Sequence, residues 1–128
     1  MDCVGIRLLR AEAGVALMSH DAEHASEPLR IEAEYLGSEV IVVLEGEFDM
    51  TSTTQFWTHI RQAFVTSATS ITIDARGVTF IDSTGLGALL RARAEADELG
   101  VAFCVSDSSP MLRRVAQVAG VEDLLPDE

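Results

Sequence analysis

Residues 71–90 constrain the fold of this chain more than any other stretch. Ile71-Thr72-Ile73-Asp74 is a short β-branched apolar run, and Leu86, Leu89 and Leu90 begin the three-and-four spacing of an amphipathic helix. A buried strand that hands over to a helix through Phe80-Ile81-Asp82-Ser83-Thr84-Gly85 is the building unit of an α/β layer. The same junction sets the Ser83 hydroxyl near a helix N-terminus. Unpaired backbone N–H groups and the positive end of the helix dipole make that position hospitable to an anion, a phosphate included.

The flanking sequence repeats the pattern. Leu29, Ile31, Ala33 and Tyr35 alternate with Arg30, Glu32 and Glu34, as in a strand with one wet face, and Gly37-Ser38 supplies a turn. Val40-Ile41-Val42-Val43-Leu44 reads as a central strand ended by Gly46-Glu47-Phe48-Asp49, and the two strands are expected to pair as a hairpin. Phe56, Ile60 and Phe64 then form a core-facing helix stripe beside Trp57, behind a Thr51-Ser52-Thr53-Thr54 capping region. A strand over 70–74, a helix over 83–99 closed by Gly100, and a strand over 101–105 follow. Ser108 or Ser109 caps a last helix with Pro110 at its first position, Met111, Leu112, Val115, Val118 and Ala119 on one face, and Gly120 past its end. Leu124-Leu125 reads as a short final strand. The expected architecture is one α/β domain over 29–128, a small mixed sheet with helices packed against it.

Residues 1–28 differ in composition. They are rich in Ala and Glu, end in Ser26-Glu27-Pro28, and read as a flexible extension outside the core, with Met18-Ser19 as an alternative translation start. Cys104 lies in an apolar run and reads as a buried strand residue; no disulfide framework or metal-binding cysteine pair is expected from Cys3 and Cys104.

Charge narrows the partners. Twenty-one acids stand against nine arginines and no lysine, a net charge of −12, which argues against a nucleic-acid ligand and favours a partner with a basic face. No apolar run approaches the ~20 residues of a membrane span. The N-terminus mixes Val4, Ile6, Leu8 and Leu9 with Arg7, Arg10 and Glu12, unlike a signal peptide, so a cytoplasmic protein without a membrane partner is expected.

Chemistry-bearing candidates are few. Ser83 reads either as a plain N-cap or as an addressable hydroxyl. Gly85 and Gly87, two glycines in a first helical turn, favour close approach by another backbone or a partner. Asp82 either orients that hydroxyl or caps the helix itself. Asp49 ends a strand on the rim where the helix starts, and reads as a site residue or as a turn aspartate. His20-Asp21-Ala22-Glu23-His24 matches a zinc-protease pattern in letters but sits in a polar tail without a third ligand; His59 reads as a surface residue. A nucleophilic serine needs a base and an oxyanion hole, and neither a G-x-S-x-G elbow nor a phosphate-binding glycine loop is present. No catalytic residue, metal or cofactor is expected.

Three segments in order, Gly46-Glu47-Phe48-Asp49, Asp82-Ser83-Thr84-Gly85-Leu86-Gly87, and Ser109-Pro110 with Val115 and Ala119-Gly120-Val121, resemble the signature of the STAS domain, the family of bacterial anti-sigma factor antagonists. The resemblance spans about residues 30–126. It implies a small, mostly parallel sheet with helices on one side, and a non-enzymatic protein. It further implies that Ser83 is phosphorylated by an anti-sigma factor serine kinase, with Thr84 the rival acceptor because it replaces a serine found in many members. A PP2C-type phosphatase would reset the switch. Asp49, Asp82, Ser83, Thr84, Gly85 and Leu86 are the implied partner-binding positions. Family members that act without phosphorylation, in stress complexes or attached to transporters, supply the alternative of a scaffold in a larger assembly.

Overall fold

The computed structural model describes residues 27–125. Four strands, β1 (Arg30–Leu36), β2 (Glu39–Phe48), β3 (Ser70–Ile81) and β4 (Ala102–Ser108), lie side by side in chain order. β1 and β2 form the expected antiparallel hairpin, whereas β2–β3 and β3–β4 are parallel. Parallel pairing needs a crossover, and helices α1 (Thr53–Val65) and α2 (Ser83–Glu98) provide the two. Helix α3 (Pro110–Ala119) closes the chain, followed by a 3-10 turn at Glu122–Leu124.

All three helices pack on one side of the sheet. Phe56 and Ile60 of α1, Leu89 and Ala92 of α2, and Leu112 and Ala116 of α3 share one cluster with Val40, Val42, Leu44, Ile71, Ile73 and Val105. Phe48 and Phe56 meet with ring centroids 5.0 Å apart. Trp57, nearly buried, lies under the Arg61 and Arg91 guanidinium groups at 5.0 and 5.7 Å, which ties α1 to α2.

The helix ends follow their caps. Ser109 accepts the Leu112 N–H at 3.1 Å with Pro110 behind it, and Gly120 takes the left-handed conformation at φ 77°. Ser52 stands at the N-cap of α1, yet its hydroxyl turns away from the helix and donates to the Glu47 carbonyl at 3.1 Å.

Several expectations need correction. β3 runs on to Ile81 instead of stopping at Asp74, because pairing with β2 continues through Gly77, Val78, Phe80 and Ile81 across two irregularities. Leu124 and Leu125 are buried in and after a 3-10 turn, where Leu124 N–H bonds to the Val121 carbonyl; they make no strand. Val118 of α3 is 85% exposed and lies off the core stripe. Cys104 is half-buried and disulfide-bonded. Of the N-terminal segment, Glu27 and Pro28 pair with Glu47, and Leu29 is buried; the expected flexible extension, its alternative start and the His20–His24 pattern otherwise lie outside the described residues.

Candidate functional site

The register of the sheet builds the site. β2 and β3 run parallel and end level, with Phe48 opposite Ile81, so Asp49 and Asp82 are the next residues on the same rim. The rim is locked: the Asp82 N–H donates to the Phe48 carbonyl at 3.3 Å. Asp82 is extended, φ −108° and ψ −175°, the backbone an N-cap requires, and its Oδ1 accepts the Gly85 N–H at 2.9 Å. Asp82 is therefore the cap of α2. Ser83 follows at the first helical position, and the hydroxyls of Ser83 and Thr84 are left exposed on the rim. The earliest N–H groups of α2 open toward the same space.

The two glycines differ. A Cβ on Gly85 would lie 2.3 Å from the Phe48 carbonyl oxygen and 3.0 Å from Ile81 Cγ1, so glycine is what lets the helix start sit on the end of β2. A Cβ on Gly87 would meet nothing within 4 Å. Gly85 and Leu86 are both buried and shape the site from beneath.

Asp49 is committed to its loop. Its Oδ1 accepts the Thr51 hydroxyl at 2.7 Å and the Thr51 N–H at 3.0 Å, with the Ser52 hydroxyl at 3.4 Å. The hydroxyl of Thr51, above all, holds the Asp49 carboxyl below its ordinary titration range. Asp49 is thus an ionised turn aspartate that fixes the loop leading into α1, at the rim where Ser83 stands. The structure brings Asp49, Asp82, Ser83 and Thr84 to one edge. It adds Met50, 68% exposed, and Phe80, 42% exposed, two apolar side chains on that edge that the sequence reading missed. Their signal was present, since each adjoins a motif aspartate or the motif strand. His59 stays apart on α1, with Nδ1 3.1 Å from the Gln55 carbonyl. Among the described residues no group of three or more His, Cys, Asp or Glu side chains converges as metal ligands would.

Residues 31–126 match the family model described as Mlab, STAS domain. The chain belongs to the STAS family. This STAS domain is 26% identical over 88 residues to a STAS-domain containing protein of Pseudomonas aeruginosa (strain UCBPP-PA14), an alignment covering 69% of this chain and 86% of that one. Its fold is similar to that of the anti-sigma factor antagonist SpoIIAA in its unphosphorylated form, with a TM-score of 0.67 and 26% identity over 77% of this chain and 88% of the other. The phosphorylated form of the Bacillus cell fate determinant SpoIIAA superposes with a TM-score of 0.63, 26% identity, and coverage of 77% and 91%. An anti-sigma factor antagonist from Mycobacterium paratuberculosis shares the fold, with a TM-score of 0.69 at 24% identity over 79% of this chain and 87% of that one. The four-stranded mixed sheet with three helices is the fold that the motifs implied.

Proposed function

We propose that this STAS domain is an anti-sigma factor antagonist: it binds an anti-sigma factor serine kinase through the Asp49–Ser83 rim, frees a sigma factor, and is switched off by phosphorylation of Ser83. One observation carries the reading. Because Asp82 caps α2, the Ser83 hydroxyl is not consumed by the cap and stands exposed at the first helical position, on the same rim as an ionised Asp49. The likeness to SpoIIAA, which is known in unphosphorylated and phosphorylated forms, supports the same assignment. In this reading the protein is a cytoplasmic binding module rather than an enzyme, it takes no cofactor, and a PP2C-type phosphatase restores it. No helix among the described residues is long and apolar enough to cross a membrane.

The test is incubation with the cognate kinase and ATP, read by intact mass and affinity. One phosphate is expected on the wild type, none on Ser83→Ala, and weaker kinase binding by Ser83→Asp. Label that persists in Ser83→Ala and vanishes in Thr84→Ala moves the site to Thr84. A second reading is a scaffold in a larger signalling complex that is never phosphorylated. It predicts that native co-purification recovers a large complex whose stability Ser83→Asp leaves unchanged.

A further inference from the structure

The acids of this chain leave one face bare. Twenty-one of its 128 residues are Asp or Glu, yet residues 50–73 and 83–94 contain none. Those stretches hold helix α1 and the first three turns of α2. Arg61 and Arg91 stand exposed on them. Neither forms an ion pair among the described residues, whereas Arg30 holds Glu45, Arg76 holds Asp74 and Arg93 holds Asp123. Arg91 passes over even Glu95, one turn further along its own helix. Both guanidinium groups lie against the Trp57 ring instead, at 5.0 and 5.7 Å from its centroid. A guanidinium held over a ring keeps N–H donors for a carboxylate, and the ring limits its rotamers before any partner arrives.

The arginine pair adjoins the rim. Ser83, Gly87 and Arg91 follow at intervals of four on one ridge of α2, with Arg91 ~12 Å along the axis from Ser83. Gly87, the midpoint, is the glycine whose Cβ would meet nothing within 4 Å, so the domain's own packing gives no reason for it. A partner backbone laid against the ridge does. We propose that the protein partner meeting the Ser83 rim continues down the α1–α2 face with an extended acidic segment, whose backbone passes Gly87 and whose carboxylates are held by Arg61 and Arg91. The proposal rests on the reading of Ser83 as a contact residue. About four extended residues span the ~12 Å between the two ends of the ridge. Two cations within an overall charge of −12 suit a few carboxylates, not a phosphate backbone or an anionic membrane, which the whole chain repels. Such a segment also brings negative charge toward Ser83, the arrangement in which a phosphate drives release.

A hexa-glutamate peptide is the probe, titrated at low ionic strength into the isotope-labelled full chain while the Arg61 and Arg91 Nε–H signals and the Trp57 indole N–H signal are followed by NMR. Saturable shifts of these signals are expected, with hexa-glutamine producing none and the double variant Arg61→Gln/Arg91→Gln abolishing them. Absent or non-saturating shifts overturn the proposal, and so does an oligonucleotide that saturates the same signals at lower concentration. With the cognate kinase, Arg61→Gln and Arg91→Gln are each expected to weaken binding about threefold to tenfold, and Arg91→Lys, which keeps the charge without the fork, by less. Urea unfolding of each variant separates a lost contact from a lost fold. Kinase binding unchanged in the double variant also overturns the proposal and leaves the Ser83 assignment standing. A wild type that takes no phosphate sinks that assignment, while the peptide titration still decides the arginine surface.

Discussion

Replacing Gly85 by alanine and, separately, Gly87 by alanine sets two chemically identical changes, two residues apart in α2, against each other. In a helix interior alanine is favoured over glycine by up to ~1 kcal/mol, somewhat less in a first turn. Gly87 has open space where a methyl would go, so Gly87→Ala should gain most of that amount. At Gly85 the methyl would lie 2.3 Å from the Phe48 carbonyl oxygen and 3.1 Å from its carbon. Ordinary contact requires about 1 Å of further separation, and backbone at the end of a central strand does not yield as a flexible side chain does. Moving the helix start instead stretches the Asp82 N–H bond to the same carbonyl, already 3.3 Å long. Overpacking of this kind costs about 1–3 kcal/mol, so after the helical gain a net loss of about 1–2 kcal/mol is expected, and the two variants should differ by about 2–3 kcal/mol. Urea unfolding followed by emission of the single, nearly buried Trp57 measures both. With an m-value of ~1–3 kcal/mol/M, Gly85→Ala should lower the midpoint by about 1 M and Gly87→Ala should raise it. A Gly85→Ala protein as stable as the Gly87→Ala protein would refute the close seating of α2 on β2.

The cap and the loop give two further tests. Asp82→Ala should destabilise by about 0.5–2 kcal/mol in the same unfolding assay, while Asp82→Asn, also a good cap, should stay within a few tenths, so binding lost in the asparagine variant reports the carboxylate charge rather than the fold. Asp49 titrates below its ordinary value of 3.8 because the folded state favours the ionised form. Its contribution to stability is therefore complete above that ordinary value and disappears as pH falls through the lowered one. Thr51→Val should move the Asp49 carboxyl resonance in an NMR titration back toward the ordinary value and flatten the stability profile over that acid interval.

The sequence showed the hairpin, the helix stripes and the Ser109-Pro110 to Gly120 bracket because each is written in local chemistry. Alternation, period and capping need no knowledge of neighbours. The extension of β3 is different. Residues 75–80 include Arg76, Gly77 and Thr79 and have no clean period; they are strand because β2 lies alongside, an effect of partner over propensity. Val118 misled for a geometric reason. It falls six residues after Leu112, about 240° around the helix, so the core that accepts Leu112 and Ala116 leaves it in water. At the site, letters alone left Asp82 and Ser83 as competing caps. The strand register decided between them by fixing Asp82 extended against Phe48, where its carboxylate takes the Gly85 N–H and leaves Ser83 at the first helical position.

On the proposed reading, the switch works through surface charge. Phosphorylation adds about −1.5 to −2 charges at pH 7 to the first turn of α2, whose dipole stabilises the anion by a few tenths to ~1 kcal/mol. The helix start is pinned between Gly85 and Phe48, so little of that energy can go into moving it. What changes is the field at an edge that already carries Asp49 and the Asp82 cap. Against a partner acid ~6 Å away, each unit-charge pair costs about 3 kcal/mol at an effective dielectric of 20, less after screening, and ~1.4 kcal/mol is tenfold in affinity. The sign of the effect therefore depends on the partner's local charge, not on the −12 of the whole chain, which governs long-range approach. A basic spot opposite Ser83 would turn the phosphate into an attachment, whereas an acidic or closely packed one makes it a release. The direction of the Ser83→Asp affinity change thus reads out the chemistry of the unseen surface as well as the logic of the switch.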